Sequence, residues 1–382
     1  MPKLSSTALN QKRSGIREIM DLSINMKDVL HLEVGEPLFA TPEHIVEAAF
    51  SALKSGYTKY MPNAGDVSLR RSISTRLNND YDLNVSIDNV VVSVGAVGAL
   101  NSIIQVIAEP GEEILIPNPG WPNYEMIVNY SGATARRYKL DPENGYLPSM
   151  DDIENNITPK TKGIIINSPS NPLGVVFPED TVKNLVSLAK RKDIFLISDE
   201  VYEKIIFNGS HCSALSFNAN ECVIGVFSFS KTYSMTGWRV GYVVSSEEVA
   251  KEIAKYQEAS VSCAPSISQK AAEAALKGSQ ECIEEMRAYY QANLLQAREI
   301  LDAYKIKFLP PNGAFYMWID AECEDAEEFA KYLLLNSGVA LAPGTTFGHG
   351  CKKFVRISMA SPQEVIRDGL TILARVIKEN RS

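Results

Sequence analysis

Residues 89–117 read NVVVSVGAVGALNSIIQVIAEPGEEILIP, and this stretch indicates how the chain folds. NVVVSV is a short β-branched run of the kind that forms a buried strand, and GAVGALNSIIQVIAE has the length and apolar spacing of a helix. EPGE is a turn, and EILIP is the next strand. A strand, a covering helix and a second buried strand form the repeating unit of a parallel sheet. We therefore expect an α/β fold with a mostly parallel sheet.

The same alternation of strand and helix signals continues as far as residue 244. The predicted strands are nearly continuous apolar runs, as expected for strands that are buried on both faces. Seven strands are predicted in all, and helices cover both faces of the sheet. Beyond the two strands quoted above, strands are predicted at 134–140, 162–168, 193–198, 223–229 and 238–244, and helices at 121–131 and 178–192.

A second, smaller unit is predicted beyond residue 245. Two long helical stretches, 247–259 and 280–304, are followed by short strand signals and by a helix that ends at a C-cap glycine, Gly338. A chain of 382 residues also exceeds the size at which a single core stops growing. We expect the N-terminal arm to join this α+β unit, which makes it discontinuous. The predicted domains are a large one, 31–278, and a small one, 1–30 together with 279–382.

The composition favours small molecules as partners. With 45% hydrophobic and 22% charged residues the chain resembles an ordinary globular protein, and no apolar run reaches the roughly 18 residues of a membrane span. The first twenty residues lack the apolar region of a secretory signal. A formal net charge of −8 repels nucleic acid and anionic lipid. We therefore expect neither a nucleic-acid nor a membrane partner.

The cysteines and histidines are scattered along the chain. No C-x-x-C pair and no paired histidine spacing occurs, so we predict no metal site. Unpaired cysteines are typical of a reducing compartment, and we expect a cytoplasmic protein. The residues concerned are Cys212, Cys222, Cys263, Cys282, Cys323 and Cys351, with His31, His44, His211 and His349.

One lysine lies where an open α/β sheet binds its ligands. Residues 228–241 read SFSKTYSMTGWRVG and follow a predicted strand, which places Lys231 just beyond that strand's carboxyl end. Most of the 38 Lys and Arg residues must be solvated surface charges, so Lys231 needs support from other residues. A catalytic lysine amine needs a carbonyl partner and an electron acceptor, and pyridoxal 5′-phosphate (PLP) supplies both.

A phosphate group requires hydrogen-bond donors near this lysine. The turn from Ser93 to Gly98 leads from a strand into a helix, where free N–H groups and the helix dipole attract an anion. Such a turn also needs glycine for structural reasons alone. Around the lysine, Ser228, Ser230 and Arg239 would complete the phosphate site.

Polar residues at two other strand ends suit the ring of PLP. Asp199 follows DIFLIS, and a carboxylate beside the pyridine nitrogen keeps that nitrogen protonated. Tyr202 and Asn171 could reach the phenolic oxygen. The ordinary alternatives are a helix N-cap for Asp199 and a turn residue before proline for Asn171.

Two further residues would complete the site. Trp121, directly after a strand, could stack on the ring, although a core aromatic explains it equally well. Arg356 lies on a predicted strand of the small domain, and its planar guanidinium suits a carboxylate. A buried salt bridge or an exposed strand charge would also account for Arg356. Each group of PLP and of its substrate that needs a protein partner therefore has a candidate residue at a strand end or on the small domain opposite. Taken together, these residues favour a PLP site.

Over essentially its whole length the sequence resembles the fold-type I PLP enzymes, specifically the class I/II aminotransferases. No single motif identifies this family, but the motifs are specific in combination. They are SGIREI, LEVGEP, YTKYMPNAG, NSPSNPLG, SDEVY, SFSKTYSMTGWRVGY, NGAFYMW, APGTTFG and FVRISMA.

The resemblance implies a role for each residue of the site. Lys231 is then the Schiff-base lysine and the acid/base, and the substrate is an L-amino acid that passes its amino group to a 2-oxo acid in a ping-pong reaction. It also implies a homodimer. The other implied roles are Asp199 at the ring nitrogen, Asn171 and Tyr202 at O3′, Trp121 on the ring, Ala96, Val97, Ser228, Ser230 and Arg239 at the phosphate, Tyr60 at the phosphate of the neighbouring subunit, and Arg356 with Gly35 and Asn171 at the substrate carboxylate.

Two departures from the family pattern leave the substrate and the reaction open. Gly98 stands where Gln or Glu is common, and Leu173 gives NPLG in place of NPTG. A C–S lyase, a decarboxylase or an amino-acid oxidase would share Lys231 and Asp199. A PLP-sensing transcription regulator would carry a DNA-binding module ahead of this fold, whereas about 30 residues precede LEVGEP and the chain is acidic. The amino acid itself is not indicated.

Overall fold

The computed structural model describes residues 2–11, 13–217 and 221–380. Two sheets and a separate strand pair account for the strands of these residues. In chain order the strands are β1 (Leu30–His31), β2 (Val90–Ser93), β3 (Glu113–Asn118), β4 (Thr134–Asp141), β5 (Leu147–Pro148), β6 (Thr161–Asn167), β7 (Phe195–Asp199), β8 (Val223–Ser228), β9 (Gly241–Val244), β10 (Phe308–Leu309), β11 (Tyr316–Asp320), β12 (Val339–Ala340), β13 (Ala342–Pro343) and β14 (Phe354–Ser358).

Helices cover the sheets and connect their strands. The α-helices are α1 (Ser6–Asn10), α2 (Gly15–Ser23), α3 (Glu43–Lys54), α4 (Val67–Tyr81), α5 (Gly95–Ile107), α6 (Asn123–Tyr130), α7 (Met150–Asn156), α8 (Glu179–Lys192), α9 (Phe229–Thr232), α10 (Glu247–Ser260), α11 (Ser266–Lys277), α12 (Glu281–Ala303), α13 (Ala326–Ser337) and α14 (Gln363–Glu379). Among the described residues, no helix is both long and apolar enough to cross a bilayer.

The large sheet has the order β2-β9-β8-β7-β6-β3-β4-β5. Five of its strands, β8, β7, β6, β3 and β4, run parallel, whereas β9 is antiparallel to both of its neighbours. Alternate residues of one strand lie in different cores: Val90 and Val92 pack in one apolar cluster and Val91 in another. The sheet is therefore buried on both faces, and the predicted α/β fold class is confirmed.

Most predicted strands agree with the structure to within two residues, and the larger differences lie at three places. All seven predicted strands are present, and the two-residue β5 adds an eighth at the edge, antiparallel to β4. The predicted strand 238–244 begins only at Gly241, because Arg239 has a φ of 53°, which ends extended pairing before it. The stretch GVALAPG, which is one of the short strand signals predicted beyond residue 304, forms two strands in different sheets, since β12 pairs with β1 and β13 with β14.

The C-terminal part forms the antiparallel sheet β10-β11-β14-β13. Apolar faces of α12 and α14 pack together, and both contribute to one core with β11 and β14. The beginning of the chain lies against this part, because β1 pairs with β12 and α2 packs on α13.

The carboxyl ends of the parallel strands meet at one edge of the large sheet. Asp199 ends β7, Ser228 ends β8, and antiparallel β9 begins at the same edge, with Gly241 opposite Ser228. Residues that follow these strands are therefore neighbours in space. The candidate site lies at this edge.

Candidate active site

A cavity of about 500 Å³ opens at this edge and is closed on its far side by residues of the C-terminal sheet. It brings together all the predicted site residues except Tyr60, which is 88% exposed. The predicted residues that line it are Gly35, Ala96, Val97, Trp121, Asn171, Asp199, Tyr202, Ser228, Ser230, Lys231, Arg239 and Arg356.

Lys231 lies on the short helix α9, directly after β8. The Ser228 side chain caps this helix by accepting a hydrogen bond from the Ser230 N–H at 3.1 Å. The Lys231 Nζ donates to the Gly35 carbonyl oxygen at 2.6 Å. Burial lowers the pKa of Lys231 to about 8, because removal from water disfavours the ammonium form. About a tenth of this amine is therefore uncharged and nucleophilic at pH 7, far more than for an exposed lysine.

Asp199 is buried at the end of β7. Its Oδ2 accepts a hydrogen bond from the Tyr124 hydroxyl at 2.5 Å, and its backbone carbonyl accepts one from Asn167 Nδ2 at 3.0 Å. Burial raises the pKa of Asp199 to about 6, although the bond from Tyr124 acts in the opposite direction. At neutral pH the group is thus an ionised carboxylate without a cationic partner among these contacts, and it is suited to a cation that enters the cavity.

Two buried tyrosines meet beside the lysine. The hydroxyl oxygens of Tyr202 and Tyr316 lie 2.8 Å apart, and burial raises the pKa of both phenols. Gly35 packs so closely on the Tyr316 hydroxyl that a Cβ at this position would collide with it. Both phenols are therefore neutral donors at the wall of the cavity.

Arg356 extends from β14 into the cavity and is 1% exposed. Its Nη1 donates to Asn171 Oδ1 at 3.1 Å, and its Nη2 donates to the Glu33 carbonyl oxygen. Its guanidinium lies 4.4 Å from the centre of the Tyr316 ring. Burial lowers the pKa of Arg356, yet the group stays charged, and its Nε has no partner among the described residues. A buried guanidinium of this kind attracts a carboxylate.

The N-terminus of α5 faces the same cavity and fits a phosphate. No side chain caps this helix, so the first N–H groups are left for a ligand. Gly95 has a φ of 67°, and a Cβ on it would lie 2.5 Å from Arg239 Nη2. Arg239 is held by a hydrogen bond from its Nη1 to the Thr236 carbonyl oxygen at 2.7 Å. Helix N–H groups, serine hydroxyls and a guanidinium form the donor set that a phosphate dianion needs.

Sequence reasoning missed several residues of the cavity. Tyr124 was placed on a predicted helix and Tyr316 in the motif NGAFYMW, but neither was assigned to the site. Arg17 and Asn167 also line the cavity. Asn167 ends β6, so the strand-end argument that selected Asp199 could have found it. Arg17 gave no such signal, because it lies on the N-terminal helix α2.

No three His, Cys, Asp or Glu side chains among the described residues are grouped as a metal site would require.

Comparison with known proteins agrees with this geometry. The family model for aminotransferase class I and II matches residues 27–373. A probable aspartate aminotransferase of Methanocaldococcus jannaschii is 39% identical over 98% of this chain and all of that protein. The aspartate/prephenate aminotransferase of Thermus thermophilus is 35% identical over 98% of this chain and 94% of that protein.

Solved structures agree as well. The aspartate aminotransferase of Thermus thermophilus with maleate has a TM-score of 0.94 at 34% identity, covering 98% of this chain and all of that one. An aromatic aminotransferase from Pyrococcus horikoshii has a TM-score of 0.89 at 32% identity, covering 96% of this chain and 99% of that one. Members of the family generally depend on PLP. The family resemblance seen in the motifs is therefore confirmed: this chain belongs to the class I and II aminotransferases and is an aminotransferase.

Proposed function

We propose that this chain binds PLP in the cavity through Lys231 and uses it to move an amino group from an L-amino acid to a 2-oxo acid. One observation carries the proposal. A lysine of lowered pKa and a buried, ionised aspartate lie at adjacent strand ends in one cavity, opposite a buried arginine. Such perturbed groups in a cleft are typical of a catalytic site.

PLP, when bound, supplies an aldehyde that bonds covalently to amines and a ring that accepts electrons from the substrate α-carbon. The protein residues provide the rest. Asp199 holds the proton on the ring nitrogen, and Tyr124 fixes the orientation of that carboxylate. Asn171 and Tyr202 bind the phenolic oxygen, and Trp121 covers the ring.

Lys231 is also proposed to move the reacting proton between the substrate α-carbon and cofactor carbon C4′. Its pKa of about 8 suits an acid and base that works near neutral pH. Arg356, with Asn171 and Gly35, binds the substrate α-carboxylate and so fixes the α-carbon beside the lysine. The N–H groups of Ala96 and Val97, with Ser228, Ser230 and Arg239, bind the phosphate.

We further propose a homodimer in which Tyr60 reaches the phosphate of the neighbouring subunit. Tyr60 is exposed and does not line the cavity of its own chain. Tyr57 and Val261 are exposed as well, and segment 57–61 is joined to segment 263–266 by hydrogen bonds. Exposed apolar side chains of this kind are what a second copy of this chain would bury.

Two further assignments, the domain division and the cellular compartment, belong to this proposal. The first is the division into a large domain, 31–278, and a small domain, 1–30 with 279–382, supported by the β1–β12 pairing. The second is the cytoplasm, supported by six free cysteines that form no disulfide.

The proposal is tested by trapping PLP on the chain. Borohydride reduction of the protein incubated with PLP is expected to leave the cofactor on the peptide that contains Lys231, as seen by mass spectrometry, and not in Lys231→Ala. Labelling of other lysines alone would contradict the assignment. A panel of single amino acids without an oxo acid then tests the reaction: one equivalent of oxo acid should form. Repeated release of ammonia, sulfide or carbon dioxide would instead indicate a lyase, an oxidase or a decarboxylase.

A further inference from the structure

A buried carboxylate lies behind the arginine that is proposed to bind the substrate. Glu33 is completely buried, and its backbone carbonyl accepts the hydrogen bond from Arg356 Nη2. Glu33 is not part of the lining of the cavity, which the chain reaches two residues later, at Gly35. Its side chain therefore acts on a bound substrate only through Arg356.

Strand pairing fixes Glu33 beside Arg356. The N–H of Leu32 donates to a carbonyl of β12 at 2.9 Å, and the Leu32 carbonyl accepts from the N–H of Ser358 in β14 at 2.8 Å. The chain thus runs extended between these two strands. Leu32 packs in the apolar core of the C-terminal part, and because side chains alternate along an extended chain, His31 and Glu33 lie on its opposite side.

The charge of Glu33 is only partly matched by other groups. Its Oε1 lies 2.8 Å from Nδ1 of His31, whose side chain is 49% exposed. Its Oε2 is buried without a partner among the described residues, and so is Nε of Arg356. Burial lowers the pKa of Arg356, and Glu33 is among the groups that oppose this lowering. The carboxylate therefore acts on the guanidinium through its charge, while the hydrogen bond between the two residues is made by the backbone of Glu33.

Resting on the function proposed above, we infer that Glu33 is a positioning residue that supplies a counter-charge to Arg356 in the empty site and so weakens the binding of the substrate carboxylate. A buried cation without a counter-charge is unfavourable, and Glu33 reduces this cost while the cavity holds no substrate. A carboxylate that enters then meets a less positive field, and it leaves more easily as part of the product. Both the amino acid and the oxo acid carry this carboxylate, so one residue adjusts the affinity for both.

The first test measures the binding of a carboxylate that does not react. Butyrate is titrated into the holoenzyme by calorimetry. Glu33→Gln keeps the shape of the side chain and removes its charge, so we expect the Kd of butyrate to fall by about tenfold. Damage to the packing around Arg356 would weaken binding instead, so the sign of the change separates the electrostatic role from a structural one.

Asp28→Asn is the matched control for this test. It removes the same charge from an exposed position of the same N-terminal arm, and it should leave the Kd of butyrate within about twofold. Asparagine also tolerates the left-handed backbone at this position, where φ is 58°.

A second variant changes the same field from the surface. His31→Lys places a permanent cation beside Glu33 at an exposed position, and the Kd of butyrate should fall by about threefold or more. Should Glu33→Gln not fold, His31→Lys decides alone. In the half-reaction with single amino acids, either variant should lower KM without raising kcat, because the gain is in uniform binding.

Arg356→Gln distinguishes the two ways in which the inference can fail. If butyrate binding is lost in Arg356→Gln, while Glu33→Gln and His31→Lys leave the Kd unchanged or raise it, the role of Glu33 is refuted and the proposed function stands. If Arg356→Gln binds butyrate as the wild-type protein does, the carboxylate site of the proposed function is wrong, and the role of Glu33 falls with it.

Discussion

At the scale of single residues, the site contains a carboxylate that opposes folding. Asp199 has a pKa near 6 in the folded chain because burial disfavours its ionised form. A raised pKa means that the folded state binds the proton more tightly than the unfolded chain does. The protonated carboxyl therefore favours the folded chain by roughly 3 kcal/mol relative to the ionised one. This contribution is fully present below pH 4 and is lost as the pH rises through 6. At neutral pH the chain keeps an unfavourable charge where the proposed cofactor needs one.

Replacing this carboxylate by a neutral group should therefore stabilise the cofactor-free protein. Asp199→Asn is expected to raise the free energy of unfolding at pH 8 by up to roughly 3 kcal/mol, and the gain should vanish near pH 4. Thermal or urea unfolding at a series of pH values measures this difference. Asp302→Asn, at an exposed position, is the control for the loss of one charge. A gain independent of pH would show that the charge of Asp199 is not its cause.

The same substitution should impair the reaction. Without the carboxylate, the ring nitrogen loses the group that keeps it protonated, and kcat should fall by about 100-fold or more. Single-turnover rates with excess amino acid measure this effect. An unchanged rate would exclude Asp199 as the partner of the ring nitrogen.

Residues such as Asp199 could be predicted because of their place in the chain. Asp199, Asn171 and Lys231 follow apolar strands, and the carboxyl ends of parallel strands meet at one edge whatever the details of packing. Tyr124, Tyr316 and Arg17 reach the cavity from two helices and from a strand of the other sheet. Their positions depend on how those elements dock, which no local pattern in the sequence encodes.

At the scale of elements, the start of α5 combines a backbone requirement with an anion site. The left-handed φ of Gly95 turns the chain from β2 into the helix, and the absence of a Cβ leaves room for Arg239. Gly98, one turn later in the same helix, has neither constraint, since a Cβ there meets only Val94 at 3.4 Å. Two glycines of one helix therefore have different functions.

Alanine at these two positions should act in opposite directions. Gly95→Ala is expected to cost about 1 kcal/mol or more in stability and to weaken PLP binding by about tenfold or more, because it strains the turn and displaces Arg239. Gly98→Ala should add up to about 1 kcal/mol, as alanine does inside a helix, with PLP affinity unchanged. Equilibrium dialysis and thermal unfolding measure both quantities. Equal effects of the two substitutions would contradict the assigned anion site.

At the scale of the whole molecule, the proposed dimer gives a role to Tyr60, which is exposed and lies outside the cavity of its own chain. In the proposed dimer, each cavity combines Lys231 of one chain with Tyr60 of the other. The sequence predicts this dimer only through the family resemblance, because nothing in YTKY itself indicates a second chain. The seven-stranded pattern, by contrast, is readable from hydrophobic runs alone. β5 is too short to leave such a run, and the single run GVALAPG does not show that it divides into β12 and β13.

Mixed dimers test this arrangement. Lys231→Ala is expected to be inactive, and Tyr60→Ala should bind PLP weakly and be nearly inactive at limiting PLP. A hybrid of the two has one cavity with both residues intact, so activity should return to as much as half of the wild-type value per dimer. Equilibrium sedimentation of the wild-type chain gives the stoichiometry. A monomer, or hybrids no better than their parents, would refute the shared site.

The pairing of β1 with β12 also bears on how the protein is made. Leu30 pairs with Val339, and Arg356 follows Val339 in the chain, so neither this pairing nor the arginine is available until synthesis has passed these positions. The large sheet, with Lys231, ends at residue 244 and is synthesised well before them. A nascent or truncated chain that stops between these points carries the lysine but no arginine to hold a substrate. With Arg356 in its proposed role, such a chain would have nothing to hold the substrate carboxylate, and only chains synthesised beyond Arg356 would carry out the reaction.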